Sequence, residues 1–167
     1  PFGEFLPFEN ILRKIGLNSL TNNYQSYSSG KNRKIIEIDK NNFNMKILPL
    51  ICYEIIYSEK ILNNSKFDYI INISEDGWFG KSIGPYQHFS HSIFRAVESG
   101  KYLIRSSNNG ITAIINPTGE IEKKISLGET GFVDFSKKRI VNTTLFSQYG
   151  NKTFIIIILL YIFLIFS

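Results

Sequence analysis

The chain has 167 residues, a formal net charge of +5 and 43% hydrophobic side chains, enough for one domain with a core and too ordinary for a disordered or collagen-like polymer. Its basic residues come in ones and twos apart from short clusters at 31–34, 123–124 and 137–139, so no nucleic-acid partner is expected; solvated loops or anionic lipid headgroups suit such charge better. The single cysteine, Cys52, excludes an internal disulfide and therefore a disulfide scaffold.

The opening Pro1-Phe2-Gly3-Glu4 shows no Met, charged leader or apolar core, so no targeting signal is expected at this end. Ile11 to Ile15 stop at Gly16 and suit a short helix with a glycine cap, and Asn18 to Asn32 reads as a polar surface loop. Lys34 to Asp39 alternates in polarity and predicts a half-exposed strand, whereas Met45 to Ile51 is nearly continuously apolar and predicts a buried strand with Cys52 at its end. Apolar residues at 55, 56, 61 and 62 predict a helix from Tyr53 to Asn64. Phe67 to Ser74 reads as a second apolar strand, and Glu75 to Pro85 as an irregular, Gly-rich stretch carrying the only Trp. Pro85 suits the first turn of a helix running to about Gly100. Strands follow at Tyr102 to Ser106, Ile111 to Asn116, Glu120 to Leu127 and Gly131 to Phe135, with a turn at Pro117-Thr118-Gly119. Strands that alternate with helices and then form hairpins predict a layered α/β fold with some antiparallel sheet.

The globular pattern gives way near Tyr149 to Lys152 to an unbroken apolar run, Phe154 to Phe166. With no polar face, the run fits a membrane better than a buried core helix, although at about 1.5 Å per residue it reaches only about 20 Å of a roughly 30 Å hydrocarbon core. The expected organisation is one domain over 1–151 followed by a transmembrane segment over 152–167.

Cys52 sits where a buried strand meets a helix. Such a lone thiol serves either as a small buried hydrophobe or as a nucleophile, and a helix N-terminus would favour its thiolate. The N–H of Tyr53, next in the chain, could then stabilise the oxyanion of a tetrahedral intermediate. Glu54 reads as a cap of the first helical turn or as a residue that positions the site. Glu4, in a Pro-flanked loop, reads as an exposed structural residue when taken alone.

Taken as an ordered set, the elements are far more specific. Pro1-Phe2-Gly3-Glu4 is followed by Ile51-Cys52-Tyr53-Glu54, Asn72-Ile73-Ser74, Trp78-Phe79-Gly80, Gly84-Pro85, Gln87-His88, Arg95-Ala96-Val97-Glu98, Arg105-Ser106 and Asn108-Asn109-Gly110-Ile111-Thr112-Ala113. This order resembles the later two-thirds of the carbon-nitrogen hydrolase (nitrilase) domain, and in particular its membrane-bound apolipoprotein N-acyltransferase branch. The resemblance implies a nitrilase-type α-β-β-α sandwich, partial here and followed by a C-terminal transmembrane helix. It implies a Cys nucleophile that takes an acyl chain from a phospholipid as a thioester and passes it to the N-terminal amine of a lipidated apolipoprotein. Cys52 matches the nucleophile, with Tyr53 supplying the following N–H; Glu4 and Glu54 match acidic residues that shape the site. Trp78 and Phe79 match a mobile loop beside the entrance, where an aromatic lid could admit lipid tails and exclude water. No metal or organic cofactor is implied. The resemblance places the protein in the bacterial inner membrane with its catalytic domain on the periplasmic side.

The family's general-base Glu and its Lys precede the PFGE element and so fall outside these residues. A soluble amidase or nitrile hydrolase of the same superfamily fits less well, given the apolar tail and the WFG-x-x-x-GP-x-QH element; an inactive fragment is the reading that the missing Glu and Lys favour. Gly80-Lys81-Ser82 does not complete a phosphate-binding loop because position 75 is Glu, and no G-x-S-x-G elbow is present. His88 and His91, three apart on one predicted helix, have no supporting ligand nearby and read as packing or support residues.

Overall fold

A computed structural model describes residues 8, 11, 14–16, 34–40, 43–58, 66–136 and 143–166. Glu4, the expected polar loop from Asn18 to Asn32, and the second half of the helix expected from Tyr53 to Asn64 lie outside them. The chain divides into two compact units, 1–33 and 34–167. In the first, the Ile15 N–H donates to the Ile11 carbonyl at 3.1 Å and Gly16 has φ +83°, the left-handed geometry expected of a glycine that closes a helical turn.

The second unit is built on a six-stranded sheet in the order β1 to β6: Ile36–Lys40, Phe43–Ile51, Tyr69–Glu75, Tyr102–Asn108, Thr112–Ile115 and Ile121–Ile125. The centre, β2-β3-β4, is parallel, and the flanking pairs β1-β2, β4-β5 and β5-β6 are antiparallel. Parallel neighbours need a crossover, and between β3 and β4 it is helix α1, Gly84–Ser99. Pro85 occupies its first turn, and Gly100 closes it at φ +66°, its N–H donating to the carbonyls of Ala96 and Val97. The buried residues of α1, Pro85, His88, Phe89, Ser92, Arg95, Ala96 and Ser99, recur at the spacing of one helical face, and that face lies on the sheet. Leu48, Leu50, Ile70, Leu103, Ala113 and Ile115 meet it with Phe89, Ala96 and Ile55 to form the core. On the opposite face, Ile51 and Ile73 are neighbours in register and are 58% and 61% exposed.

The α/β layering and mixed sheet are those expected of a nitrilase-type fold; among the described residues there is one sheet, not the two of a complete sandwich. Three local expectations are corrected. The helix after Cys52 is a five-residue 3₁₀ turn, Cys52–Ile56, left by an extended Tyr57. Residues 131–136 form no strand; Phe132 is 84% exposed, and Lys123 meets this segment through its ammonium, which donates to the Asp134 carbonyl at 2.7 Å. The transmembrane segment expected over 152–167 is a 15-residue helix, α3, Lys152–Phe166, preceded by the short α2, Leu145–Tyr149. At about 1.5 Å per residue α3 is about 22 Å long, short of a roughly 30 Å hydrocarbon core, and no helix among the described residues is long and apolar enough to cross a membrane.

Candidate active site

The three parallel strands end on one edge of the sheet, where ligands bind in open α/β folds because chain and helices diverge there. Cys52 follows directly on β2, Asp76 on β3, and Asn108 ends β4. Cys52 is half-buried with φ +50°, a left-handed conformation that costs a non-glycine residue about 1 to 3 kcal/mol unless its surroundings impose it. Two neighbours hold the turn. The carboxylate of Glu54 accepts the Ile51 N–H at 2.8 Å. From β3, the side-chain amide of Asn72 donates to the Leu50 carbonyl at 3.1 Å and to the Cys52 carbonyl at 3.3 Å.

Asn72 is fully buried, and the register places Leu50, Asn72, Arg105 and Ala113 in one row across β2 to β5. The small Ala113 and the Ser92 of α1 leave room for the fully buried Arg105 side chain between sheet and helix. Its guanidinium donates to the Asn72 side-chain oxygen, to Asp76 at 2.7 Å, to the Ile111 carbonyl at 3.2 Å and to Ser92 at 3.4 Å. Burial pushes the Arg105 pKa down, opposed by the Asp76 carboxylate and, more weakly, by Cys52.

Asp76 also accepts from Ser74 at 2.8 Å and meets His88 Nδ1 at 2.9 Å. Its burial disfavours the charge, but the His88 contact, the Arg105 charge and the Ser74 hydroxyl prevail and hold its carboxyl at about 2. His88 Nδ1 also lies 3.3 Å from the donor-only Arg105 guanidinium, but the shorter contact is with Asp76, and an ionised carboxylate can only accept; the assignment that satisfies it puts the proton on Nδ1 and, in the neutral ring, the lone pair on Nε2. That buried nitrogen has no hydrogen-bond partner among the described residues. His88 lines a cavity of about 350 Å³ with Tyr53, Phe79, Gly84, Gln87, Ser90 and His91. The Tyr53 and Phe79 rings lie 5.4 and 5.5 Å from the imidazole, centroid to centroid.

Two glycines in the motifs are explained by close approach. A Cβ on Gly84 would stand 2.5 Å from the Phe79 ring, and one on Gly110 would stand 2.2 Å from an Asp76 carboxylate oxygen. Trp78, in the 3₁₀ turn Gly77–Phe79, projects into solvent at 87% exposure, which excludes a place in the core of this chain.

Of the residues named from sequence, Tyr53 and Phe79 meet at the cavity, Cys52 and Glu54 share the turn beside it, Trp78 stands outside it, and Glu4 is not described. Sequence reasoning passed over Asp76 entirely, named Asn72 and Arg105 only as letters of a motif, and set His88 aside as packing. One signal was available: in β4, Arg105 shares its parity with Leu103, so the alternation that buries the leucine also buries the cation.

Residues 9–141 match the Carbon-nitrogen hydrolase family profile. The apolipoprotein N-acyltransferase of Rickettsia bellii (strain RML369-C) is 45% identical across 99% of this chain and 32% of its own length. That of Rhodopseudomonas palustris (strain ATCC BAA-98 / CGA009) is 37% identical across 99% of this chain and 30% of its own. The chain thus spans about a third of the length of the curated relatives it matches. A solved amidase from Nesterenkonia sp. is 12% identical with a TM-score of 0.45, over 61% of this chain and 40% of that one.

Proposed function

Because the chain belongs to the carbon-nitrogen hydrolase family, we propose that it carries the nucleophile-bearing part of an N-acyltransferase that moves an acyl chain from a phospholipid to the N-terminal amine of a lipidated apolipoprotein. The names of its relatives support the reaction class. The observation that carries the assignment of the nucleophile is Cys52 itself, held in a left-handed turn at the end of the buried β2 by Asn72 and Glu54. Strain of this kind persists where surrounding contacts impose it, and it gathers at functional sites.

In this reading the Cys52 thiolate attacks the ester carbonyl of the phospholipid. The carbonyl–oxygen ester bond breaks, the lysophospholipid leaves with a proton, and a thioester remains. The apolipoprotein amine attacks that thioester, the carbon–sulfur bond breaks, and an amide forms as the amine gives up a proton. The Tyr53 N–H stabilises the oxyanion in both steps. Glu54 acts through the turn it ties down, Glu4 shapes the site, and the exposed Trp78 with Phe79 forms the aromatic side of the entrance. The proton acceptor is the general-base Glu that, together with a Lys, the family carries ahead of these elements. No metal or organic cofactor enters either step.

The proposed setting is the periplasmic face of the bacterial inner membrane, with 1–151 as the later part of the hydrolase domain and 152–167 as its membrane-embedded end. Every residue of α3 from Phe154 to Phe166 is apolar or Tyr, and each is between 39% and 85% exposed, so the helix has no polar face to offer water. On the face of the sheet away from α1, Ile51 and Ile73 are exposed at the strand ends, and they support a second sheet packing there to complete the sandwich.

The test is to reconstitute the intact protein in phospholipid vesicles and map acyl adducts by mass spectrometry. An acyl group on Cys52 in the native protein, absent in Cys52→Ala, is expected. An adduct that persists in Cys52→Ala removes Cys52 from the reaction.

A further inference from the structure

The Asn72 contact with Cys52 bears on more than the turn. The Cys52 carbonyl and the Tyr53 N–H belong to one planar peptide unit, and no cis peptide occurs among the described residues. In a trans peptide the C=O and N–H point in opposite directions. Asn72, itself buried, reaches the Cys52 carbonyl, so it directs the Tyr53 N–H to the side of that peptide opposite Asn72.

Which way the Asn72 amide faces is itself determined. Arg105 is a donor only, so the Asn72 atom that meets it is the oxygen, and the NH₂ group must face Leu50 and Cys52. Both of its hydrogens are then used, one on each carbonyl flanking Ile51. Arg105 cannot swing away, because Asp76 and the Ile111 carbonyl hold the rest of its guanidinium.

We infer that Asn72, oriented by Arg105, is a positioning residue that aims the Tyr53 N–H at the oxyanion of the Cys52 reaction. This rests on the proposed role of Cys52, and it adds a division of labour. Asn72 and Arg105 touch no reacting atom; they set the direction of the donor that does.

The two kinds of Cys52 chemistry separate this role from a merely structural one. Attack on an ester passes through an oxyanion, whereas alkylation by iodoacetamide displaces iodide and forms none. The probes are a p-nitrophenyl fatty acyl ester, whose release of p-nitrophenolate reports acylation, and iodoacetamide. Both are applied to the intact protein at a pH where the thiol is ionised in every variant. Asn72→Asp keeps a partner for Arg105 and loses both donors; Asn72→Ser is neutral and keeps one. In Asn72→Asp, acylation should fall by about a hundredfold, the scale of a lost oxyanion donor, while alkylation falls by less than about tenfold. Asn72→Ser should lie between this variant and the native protein.

Equal losses in the two rates, or no loss in either, overturn the inference. If Asn72→Asp does not fold, the same comparison in Asn72→Ser decides. Failure of the native protein to form any acyl-Cys52 from the ester would overturn the nucleophile assignment instead, a result distinct from an unaltered Asn72 variant.

Discussion

Asp76 is the residue on which the buried network turns, since its two oxygens serve Arg105, His88 and Ser74. Its carboxyl is held at about 2 in the fold against near 3.9 in an unfolded chain, a difference of roughly 2 to 3 kcal/mol in stability. Because the folded value is the lower, that stabilisation is fully present above about pH 4 and is lost as pH falls through about 2. Urea unfolding followed from pH 5 down to pH 2 should show this loss in the native chain, and Asp76→Asn should flatten it. An unchanged slope in Asp76→Asn would place the acid sensitivity elsewhere. Asp76 was not legible as a site residue because it lies in an irregular Gly-rich stretch, where no periodicity assigns it a face. Only the alignment of β3 and β4 brings it to Arg105. The placement of Cys52 at the end of β2 was legible, because a lone thiol after an apolar strand can be seen without knowing the register.

At the scale of elements, α1 was read almost to the residue, since Pro85 and Gly100 are local signals that act within their own turns. Its core face follows the same helical periodicity, which makes the packing testable. Phe89 is 6% exposed and Phe94, on the same helix, is 56% exposed. Phe89→Ala should cost about 3 to 5 kcal/mol through the cavity it leaves, whereas Phe94→Ala should stay within roughly 0.5 kcal/mol; chemical denaturation of the two variants checks this. Elements whose form depends on distant partners were read less well. Gly131 to Phe135 has strand-like residues but no ladder, and its Phe135 ring instead packs against Tyr69 and Tyr102 at 5.3 and 5.6 Å. The five-residue turn after Cys52 replaces an expected α-helix because Tyr57 is already extended, so the thiol stands beside fewer aligned peptide dipoles than the sequence suggested.

At the scale of the whole molecule, a mixed α/β layer is followed along the chain by an apolar helix. The 167-residue chain should float with phospholipid vesicles in a density gradient. The double variant Ile157→Lys, Leu160→Lys should float less, since each Lys in an apolar helix centre costs about 2.5 to 3.5 kcal/mol of insertion. Equal flotation of the two would show that α3 makes no contact with the lipid interior. The mixed sheet was foreseeable from the order of strands and helices, and the helix-facing core from their alternation. The exposure of Ile51 and Ile73 on the second face was not, because such residues read as buried wherever an apolar strand is expected, and on that same face Ile47, Tyr69 and Ile114 are indeed buried. The measurement that bears most directly on the nucleophile is a chase. Intact protein loaded with a labelled acyl chain from phospholipid is mixed with a peptide bearing a lipidated N-terminal cysteine, and both species are followed by mass spectrometry. Loss of label from Cys52 at the rate at which the acylated peptide forms is the predicted result; label that reaches the peptide while never residing on Cys52 would contradict it.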